Sequence, residues 1–217
     1  MSITSRVGFW CSDDLIHLNT SFHFSGALRL DSQYWFFMMD LTVENNSVRA
    51  DKDSFLEAMS RVPQAVFIVT TDGVEGKAGL TATAVTSVSA DPPTVLVCLN
   101  ASNFSTAAFY KNKRITVNVP NSEQIELASK FGKSVASGLT NPSAEQLRDA
   151  SEKRFETDDW EFAACPVLKG ARAVFECEIS DVKLVDTHLV VFAKVINVKI
   201  GDFVSGLVYI ERGYRVV

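Results

Sequence analysis

The sequence predicts a mainly β fold, an antiparallel barrel that is closed or nearly closed, with short helices at its periphery. Two observations predict it. At least seven runs of apolar, β-branched and aromatic residues are separated by turn residues, which is typical of strands. The segments with helical spacing are few and short, so we expect them to lie around the sheet. The chain has 217 residues, 47% of them hydrophobic and 22% charged, which is enough to bury such a core.

Four strands are predicted in the first part of the regular region. Residues 65–71 form a β-branched and aromatic run, and the glycines at 73, 76 and 79 predict a hairpin loop after it. Asp91-Pro92-Pro93 predicts a turn between the second run and the third. The remaining strands of this part are predicted over 80–89, 94–100 and 115–119.

The last third of the chain has the clearest strand pattern. Ala173, Phe175, Cys177 and Ile179 alternate with polar residues, which indicates a strand with one buried face. The apolar phase then shifts by one residue, which predicts a β-bulge near Asp181. Two further strands are predicted over 189–200 and 206–210.

Three helices are predicted, each entered through polar capping residues. They are expected over 53–61, over 102–112 and after residue 124. The predicted capping boxes pair Ser54 with Glu57 and Asn121 with Gln124. Pro63 ends the first helix, and the third carries Phe131 on its apolar face with Gly132 at its C′ position. Residues 134–160 are polar and predict a loop with some helix.

Composition and charge exclude several classes of protein. The formal net charge of −5, with no long basic run, argues against a nucleic-acid-binding surface. No apolar stretch near the N-terminus approaches the about 20 residues of a membrane-spanning helix, and no signal peptide is recognisable. The three histidines and four cysteines include no CxxC pair and no zinc-site spacing. We therefore expect no metal and interpret the cysteines as reduced thiols of a cytoplasmic protein.

The chain divides into a predicted N-terminal extension, residues 1–50, and a predicted domain, residues 51–217. The extension mixes aromatic and polar residues without a sustained period of 2 or 3.6 and is expected to lie outside the fold. Met39 begins a segment suited to a natural chain start, so we hypothesise that residues 1–38 reflect an upstream start-codon assignment. Intact-mass analysis of protein from the native host tests this, and a mature chain that retains Met1 or Ser2 refutes it.

Three features of the sequence could carry chemistry, and each has an ordinary structural alternative. Residues 79–89 are rich in Thr, Ser and Ala, which suits either a solvated strand face or close approach of a flat ring to the backbone. Residues 100–105 suit either simple helix N-capping or phosphate binding at a helix N-terminus. His188 is the one histidine in the regular region, and it is either structural or part of a site.

Taken in order, these segments resemble the flavin reductase-like, FMN-binding split-barrel family, and within it the reductase components of 4-hydroxyphenylacetate 3-monooxygenases. The central motif, Gly79-Leu-Thr-Ala-Thr-Ala-Val-Thr-Ser-Val-Ser-Ala-Asp-Pro-Pro93, is its most specific part, and the likeness covers about residues 53–216. The other segments that carry it are 65–71, 97–100, 117–119, 124–132, 166–170, 187–189 and 206–209, with Arg212 and Tyr214.

The resemblance implies a homodimeric split barrel that reduces FMN or FAD, held loosely as a substrate, with NADH or NADPH. Hydride transfer between two rings needs no acid–base side chain, so no catalytic residue is predicted, and the reduced flavin would diffuse to a separate oxygenase of aromatic compounds. The resemblance assigns to the isoalloxazine edge Thr81, Ala82, Thr83 and Ala84. It assigns to the ribityl chain and phosphate Ser87, Leu99, Asn100, Ser102 and Ser105, with Phe131 bordering the pocket and His188 beside the nicotinamide.

One position departs from the family pattern. Family members have a Gly-Asp-His or Gly-Thr-His turn beside the nicotinamide, whereas this chain has Asp186-Thr187-His188, so the histidine matches and the glycine is replaced. A flavin-binding protein without turnover, such as a carrier, therefore stays an alternative. Among enzymes, the flavin reductase of pyrimidine-ring cleavage is a further alternative, because it shares the same motifs.

Overall fold

The structure, a computed structural model, describes residues 49–217. The predictions about residues 1–38, and nearly all of the predicted extension, lie outside the described residues. Four α-helices occur in the described part of the chain: α1 Lys52–Ser60, α2 Thr106–Asn112, α3 Ile125–Gly132 and α4 Ala144–Glu152. Two short 3-10 helices cover Ser122–Gln124 and Lys153–Phe155. The last helices lie within the predicted loop of 134–160, which confirms that it contains some helix.

Twelve strands run through the described residues. In chain order they are β1 Gln64–Ala65, β2 Phe67–Thr71, β3 Ala78–Ala82, β4 Val85–Ala90, β5 Pro93–Asn100, β6 Arg114–Val119, β7 Trp160–Phe162, β8 Pro166–Leu168, β9 Ala173–Val185, β10 His188–Ile200, β11 Leu207–Ile210 and β12 Gly213–Val216. Seven of them form one antiparallel sheet in the order β3-β2-β6-β9-β10-β5-β4.

The two edge strands of this sheet, β3 and β4, are consecutive in the chain. Only Thr83 and Ala84 connect them, and three peptide units span at most about 11 Å. Since the two edges of a seven-stranded sheet are held this close, the sheet must curl round until they meet. The prediction of a nearly closed antiparallel barrel is confirmed, and its opening lies where β3 passes into β4.

The barrel sheet covers a separate core on each of its faces. Alternate residues of β2 divide between them, because successive side chains of a strand point to opposite faces. Val69 packs in the first core with Phe109 of α2 and Val191 of β10. Ile68 packs in the second, which includes Phe131 of α3 and residues of β7, β8 and β11. The small sheets β1-β11-β12 and β7-β8 therefore pack against one face of the larger sheet.

A β-bulge interrupts the pairing of the two longest strands. Phe192 lies opposite Asp181, but the next residue, Ala193, lies opposite Ile179, so Ser180 is the extra residue. This confirms the bulge predicted near Asp181 from the shift in the apolar pattern. The bulge increases the local twist of the ribbon, which suits a strongly curved sheet.

The predicted single strand over 80–89 is wrong. β3 ends at Ala82 and pairs with β2, whereas β4 begins at Val85 and pairs with β5 on the opposite edge. Residue preferences do not reveal this break, because Thr, Val and Ser favour extended backbone on both sides of it. The break is imposed by closure of the barrel.

The capping of the first and second helices also differs from the prediction. The capping box of α1 pairs Asp51 with Ser54: the Ser54 N–H donates to Asp51 Oδ1 at 2.8 Å, and the Asp51 N–H donates to Ser54 Oγ at 3.1 Å. Glu57 does not take part and forms ion pairs with two arginines. α2 begins at Thr106, four residues later than predicted, because residues 101–105 form turns.

The capping box predicted for the third helix is present but lies one short element earlier. Asn121 and Gln124 cap the 3-10 helix Ser122–Gln124, which continues directly into α3, and Gln124 Oε1 accepts from the Asn121 N–H at 3.0 Å. Gly132 is the last residue of α3 and does not have a positive φ, so it is not a left-handed C′ cap.

Candidate functional site

The opening of the barrel exposes backbone between β3 and β4. Within the described residues, the N–H groups of Thr83 and Ala84 donate no hydrogen bond, while the Ala84 carbonyl accepts from the Cys98 N–H at 2.9 Å. The hydroxyl of Thr81 is already engaged, because it donates to the Ala128 carbonyl of α3 at 2.6 Å. Thr81 therefore fastens α3 to β3, and Thr83 and Ala84 present free backbone donors.

The end of β5 and the start of β10 meet beside this opening. Asn100 lies directly opposite His188, and Leu99 lies opposite Leu189. The Ala101 N–H donates to the Thr187 carbonyl at 2.9 Å, which ties the loop after β5 to the turn before β10. Register alone thus brings together two predicted site residues, Asn100 and His188, that are far apart in the sequence.

Asn100 organises the loop that follows β5. Its Oδ1 accepts from the Ser102 N–H at 2.9 Å and from the Ser102 hydroxyl at 2.8 Å, and its carbonyl accepts from the Thr106 hydroxyl at 2.8 Å. Ser105 stands at the N-cap position of α2 but makes no side-chain capping bond. Simple N-capping by Ser105 therefore does not account for this segment, whose hydrogen bonds instead fold the loop back on Asn100.

The turn before β10 keeps a glycine-like conformation without a glycine. Asp186 has a φ of 49°, in the left-handed region that glycine adopts freely and that Asp tolerates better than most residues. The next residue, Thr187, contacts His188 Nδ1 through its hydroxyl at 2.9 Å. His188 is exposed, with its ring held by this contact. The replacement of the family's glycine thus leaves the left-handed turn in place.

A groove of about 520 Å³ continues from this site along α2, and we call it the α2 groove. Ser102 and Leu189, which flank Asn100 and His188, form its end nearest the site. No charged side chain lines it. Its full lining is Ala101, Ser102, Asn103, Phe104, Thr106, Ala107, Tyr110 and Leu189. Sequence reasoning missed Phe104, Tyr110 and Leu189, because apolar residues at helical or strand spacing are typical of a core.

A second cavity, about 220 Å³, adjoins the α2 groove and has a charged lining. Glu75 accepts from Lys111 Nζ at 2.7 Å and from Arg148 at 2.8 Å, so it bridges α2 and α4. The hydrogen bond from Lys111, opposed by partial desolvation, lowers the pKa of the Glu75 carboxyl. Ser105 lines this cavity; its hydroxyl is buried and has no partner among the described residues. Ser105 thus lines this cavity, whereas Ser102 lines the α2 groove.

The surroundings of four further predicted residues are as follows. Phe131 is 1% exposed, and its ring packs edge-on against Phe155 and Trp160 at centroid distances of 5.2 and 5.3 Å. Its ring therefore belongs to the second core. Ser87 is exposed on the edge strand β4, opposite Val95. Ala82 is buried at the end of β3, and Leu99 is buried near the end of β5. Both therefore lie on the inner side of the opening.

Among residues 49–217, no three His, Cys, Asp or Glu side chains are grouped so as to hold a metal ion. None of the helices in this part of the chain is long and apolar enough to cross a membrane.

Comparison with known proteins identifies the family. A family model described as "Flavin reductase like domain" matches residues 59–217. The chain belongs to this flavin reductase-like family. The predicted family and the split-barrel type of its fold are both confirmed.

Relatives of two kinds resemble this flavin reductase-like protein to a similar degree. It is 40% identical over 171 residues to an FMN reductase (NADH) RutF of Yersinia enterocolitica, covering 78% of this chain and 86% of the relative. It is 38% identical over 165 residues to the 4-hydroxyphenylacetate 3-monooxygenase reductase component of Escherichia coli, covering 75% and 90%. Among solved structures, a flavin reductase domain protein from Arthrobacter superposes with a TM-score of 0.65 at 25% identity, covering 77% and 96%.

Proposed function

We propose that this protein transfers hydride from NADH to free FMN or FAD and releases the reduced flavin to a separate oxygenase. The observation that carries the proposal is the convergence of three segments: the free backbone at Thr83 and Ala84, the loop at Asn100, and His188. Membership of the flavin reductase-like family supports the reaction class. NADPH is the alternative donor, and the lack of charge in the α2 groove favours NADH.

The opening of the barrel suits the flavin ring. The edge of the isoalloxazine system carries nitrogen and carbonyl acceptors, and the unpartnered N–H groups of Thr83 and Ala84 are donors of the matching kind. Small side chains at Ala82 and Ala84 allow a flat ring to approach the backbone closely. Beyond the ring, the polar loop of Asn100 and Ser102 suits the ribityl chain and phosphate.

The reaction consists of hydride transfer from C4 of the nicotinamide to N5 of the flavin. This chain contributes alignment: backbone donors orient one ring, and His188 with Asn100 borders the space for the other. No side chain has to give or take a proton in that step. An acid–base pair is therefore unnecessary.

The identity of the oxygenase lies outside this chain. Relatives from aromatic hydroxylation and relatives named RutF match with 38% and 40% identity, so neither assignment is favoured by similarity. Whether the reduced flavin serves an oxygenase of aromatic compounds or one of pyrimidine-ring cleavage depends on the partner enzyme, because free reduced flavin is the same molecule in both cases. A flavin carrier without turnover is disfavoured, since Asp186 keeps the left-handed turn that the missing glycine had put in question.

We also propose that the protein is a homodimer in the cytoplasm. Apolar side chains are exposed near the C-terminus, where Ile200 is 86% exposed, Val204 87% and Val217 64%. Exposed apolar surface of this kind is typical of protein interfaces. The three cysteines of the described region are free thiols, which supports a reducing compartment. Sedimentation equilibrium tests the dimer, and a monomer at micromolar concentration contradicts it.

The proposed function is tested by NADH oxidation, followed at 340 nm, with and without added FMN or FAD. We expect oxidation that depends on added flavin and saturates with it, because the flavin is a substrate. Adding ferricytochrome c, which accepts electrons from free reduced flavin, reports its release. Flavin binding without oxidation of NADH or NADPH contradicts the proposal and favours a carrier.

A further inference from the structure

The α2 groove extends beyond the part of the site where hydride transfer is proposed to take place. It starts at Ser102 and Leu189 and extends to Tyr110 on the far part of α2. The proposed function assigns the flavin ring, the ribityl chain and the nicotinamide to the barrel opening and to the surroundings of Asn100. The groove is therefore additional space, continuous with the site, that a longer substrate could occupy.

The lining of the α2 groove has the chemistry of a site for a neutral, flat heterocycle. Tyr110 is 59% exposed and offers an aromatic ring for stacking. Ala101 and Ala107 are small, so they allow a flat ring to lie against the loop and the helix. The absence of charged lining distinguishes the groove from the neighbouring cavity, where Glu75 bridges Lys111 and Arg148.

Asn103 adds a hydrogen-bonding group to this lining. Its Oδ1 accepts from the Ser105 N–H at 3.0 Å, which fixes the orientation of the amide. Its Nδ2 donates to no acceptor in residues 49–217. A side-chain amide of asparagine pairs well with the N6 and N7 edge of adenine, where N7 accepts and the N6 amino group donates.

We propose that the α2 groove binds the adenosine part of a dinucleotide substrate. Tyr110 stacks on the adenine, and Asn103 donates to its edge. The proposal rests on the proposed function, which provides two substrates with an adenosine, FAD and NADH. The adenosine has the same chemistry in FAD and in NADH. In either case the phosphates would extend towards Ser102, at the end of the groove nearest the site.

The test compares substrates that differ only in the adenosine-bearing half. FAD is compared with FMN, and NADH with reduced nicotinamide mononucleotide, in wild type, Tyr110→Ala and Tyr110→Phe. We expect Tyr110→Ala to raise the KM ratio of FAD to FMN, or of NADH to the mononucleotide, by about five-fold or more, because a stacking ring is lost. Tyr110→Phe keeps the ring and should restore the wild-type ratio. The substrate pair whose KM ratio changes shows whether the groove binds the adenosine of FAD or that of NADH.

The proposal is overturned if Tyr110→Ala leaves both KM ratios at their wild-type values. Phe55→Ala is the matched control, since Phe55 is a similarly exposed aromatic on α1, a helix with no buried residue. If the wild-type protein oxidises neither NADH nor NADPH, the proposed function is contradicted, while the proposal about the α2 groove can still be tested by binding. Binding of FAD and FMN, measured by quenching of flavin fluorescence, then tests the groove: a ratio that shifts in Tyr110→Ala supports it, and an unchanged ratio overturns it.

Discussion

His188 is the residue whose substitution should separate the two substrates of the proposed reaction. It is exposed at the start of β10, opposite Asn100, whereas the backbone donors proposed for the flavin lie at Thr83 and Ala84. We expect His188→Ala to raise KM for NADH about five- to ten-fold, the value of one lost hydrogen bond, with a smaller change in flavin affinity. Steady-state kinetics and fluorescence titration measure the two effects.

The control for this variant is Lys194→Ala, because Lys194 is exposed further along the same strand. It should change neither quantity. Equal losses of NADH use and flavin binding in His188→Ala would contradict the assignment, since they indicate a general distortion of the site.

The burial of two thiols, Cys165 and Cys177, should affect their reactivity and the pH dependence of stability. Burial raises the pKa of Cys165, and it raises the pKa of Cys177 from 9.0 to about 12. The thiolate is the reactive form, so both should resist iodoacetamide at pH 8 in the native protein and react in urea. Peptide mass mapping measures this, and modification of native Cys177 contradicts it. Because these groups ionise in the unfolded chain first, native stability should fall as the pH rises above about 9.

At the scale of elements, the turn between β11 and β12 adopts a conformation that its residues disfavour. Glu211 and Arg212 both have positive φ, 49° and 59°, the pattern of a type I′ hairpin turn, for which Asn-Gly is preferred. We expect the double substitution Glu211→Asn, Arg212→Gly to raise the free energy of unfolding by about 1 kcal/mol. Urea denaturation measures it.

The same substitution removes the ion pair between Arg212 and Glu57, whose side chains are 68% and 52% exposed. Exposed pairs contribute little, so the conformational gain should dominate. Arg212→Ala is the control, because it removes the pair but keeps a β-carbon in the left-handed region. If the double variant is no more stable than this control, the turn is not strained.

At the scale of the whole molecule, Asn118 joins parts of the fold that are distant in sequence. It is fully buried on β6; its Nδ2 donates to the Ile68 carbonyl at 2.9 Å, and its Oδ1 accepts from the Leu168 N–H at 2.9 Å. Asn118→Leu roughly keeps the volume but removes the acceptor of the buried Leu168 N–H and one donor to the Ile68 carbonyl. We expect a loss of about 3 kcal/mol in the free energy of unfolding.

The control for Asn118→Leu is Asn197→Leu on β10, where an exposed amide donates to Glu176. That bond is open to water, so its loss should cost little. Comparable losses of unfolding free energy in the two variants would mean that the buried hydrogen bonds of Asn118 stabilise the fold no more than an exposed one does.

Much of the fold could be predicted because strand and helix signals are local. The alternation from Ala173 to Ile179 predicted β9, the shift in its phase predicted the bulge, and Asn121 with Gln124 predicted a cap. β12 was missed, because the four residues of Gly213–Val216 are too few to make a pattern. The short strands β7 and β8 were missed for the same reason.

The sequence by itself determined the barrel class, the family and the residue types available for a site, because periodicity and motifs depend on neighbours along the chain. Only the tertiary structure decided that residues 80–89 divide at Thr83 and Ala84, that Asn100 lies opposite His188, and that Phe131 packs in the second core. These outcomes depend on strand register and on closure of the sheet. Both are set by packing between segments that are far apart in sequence, which no local pattern records.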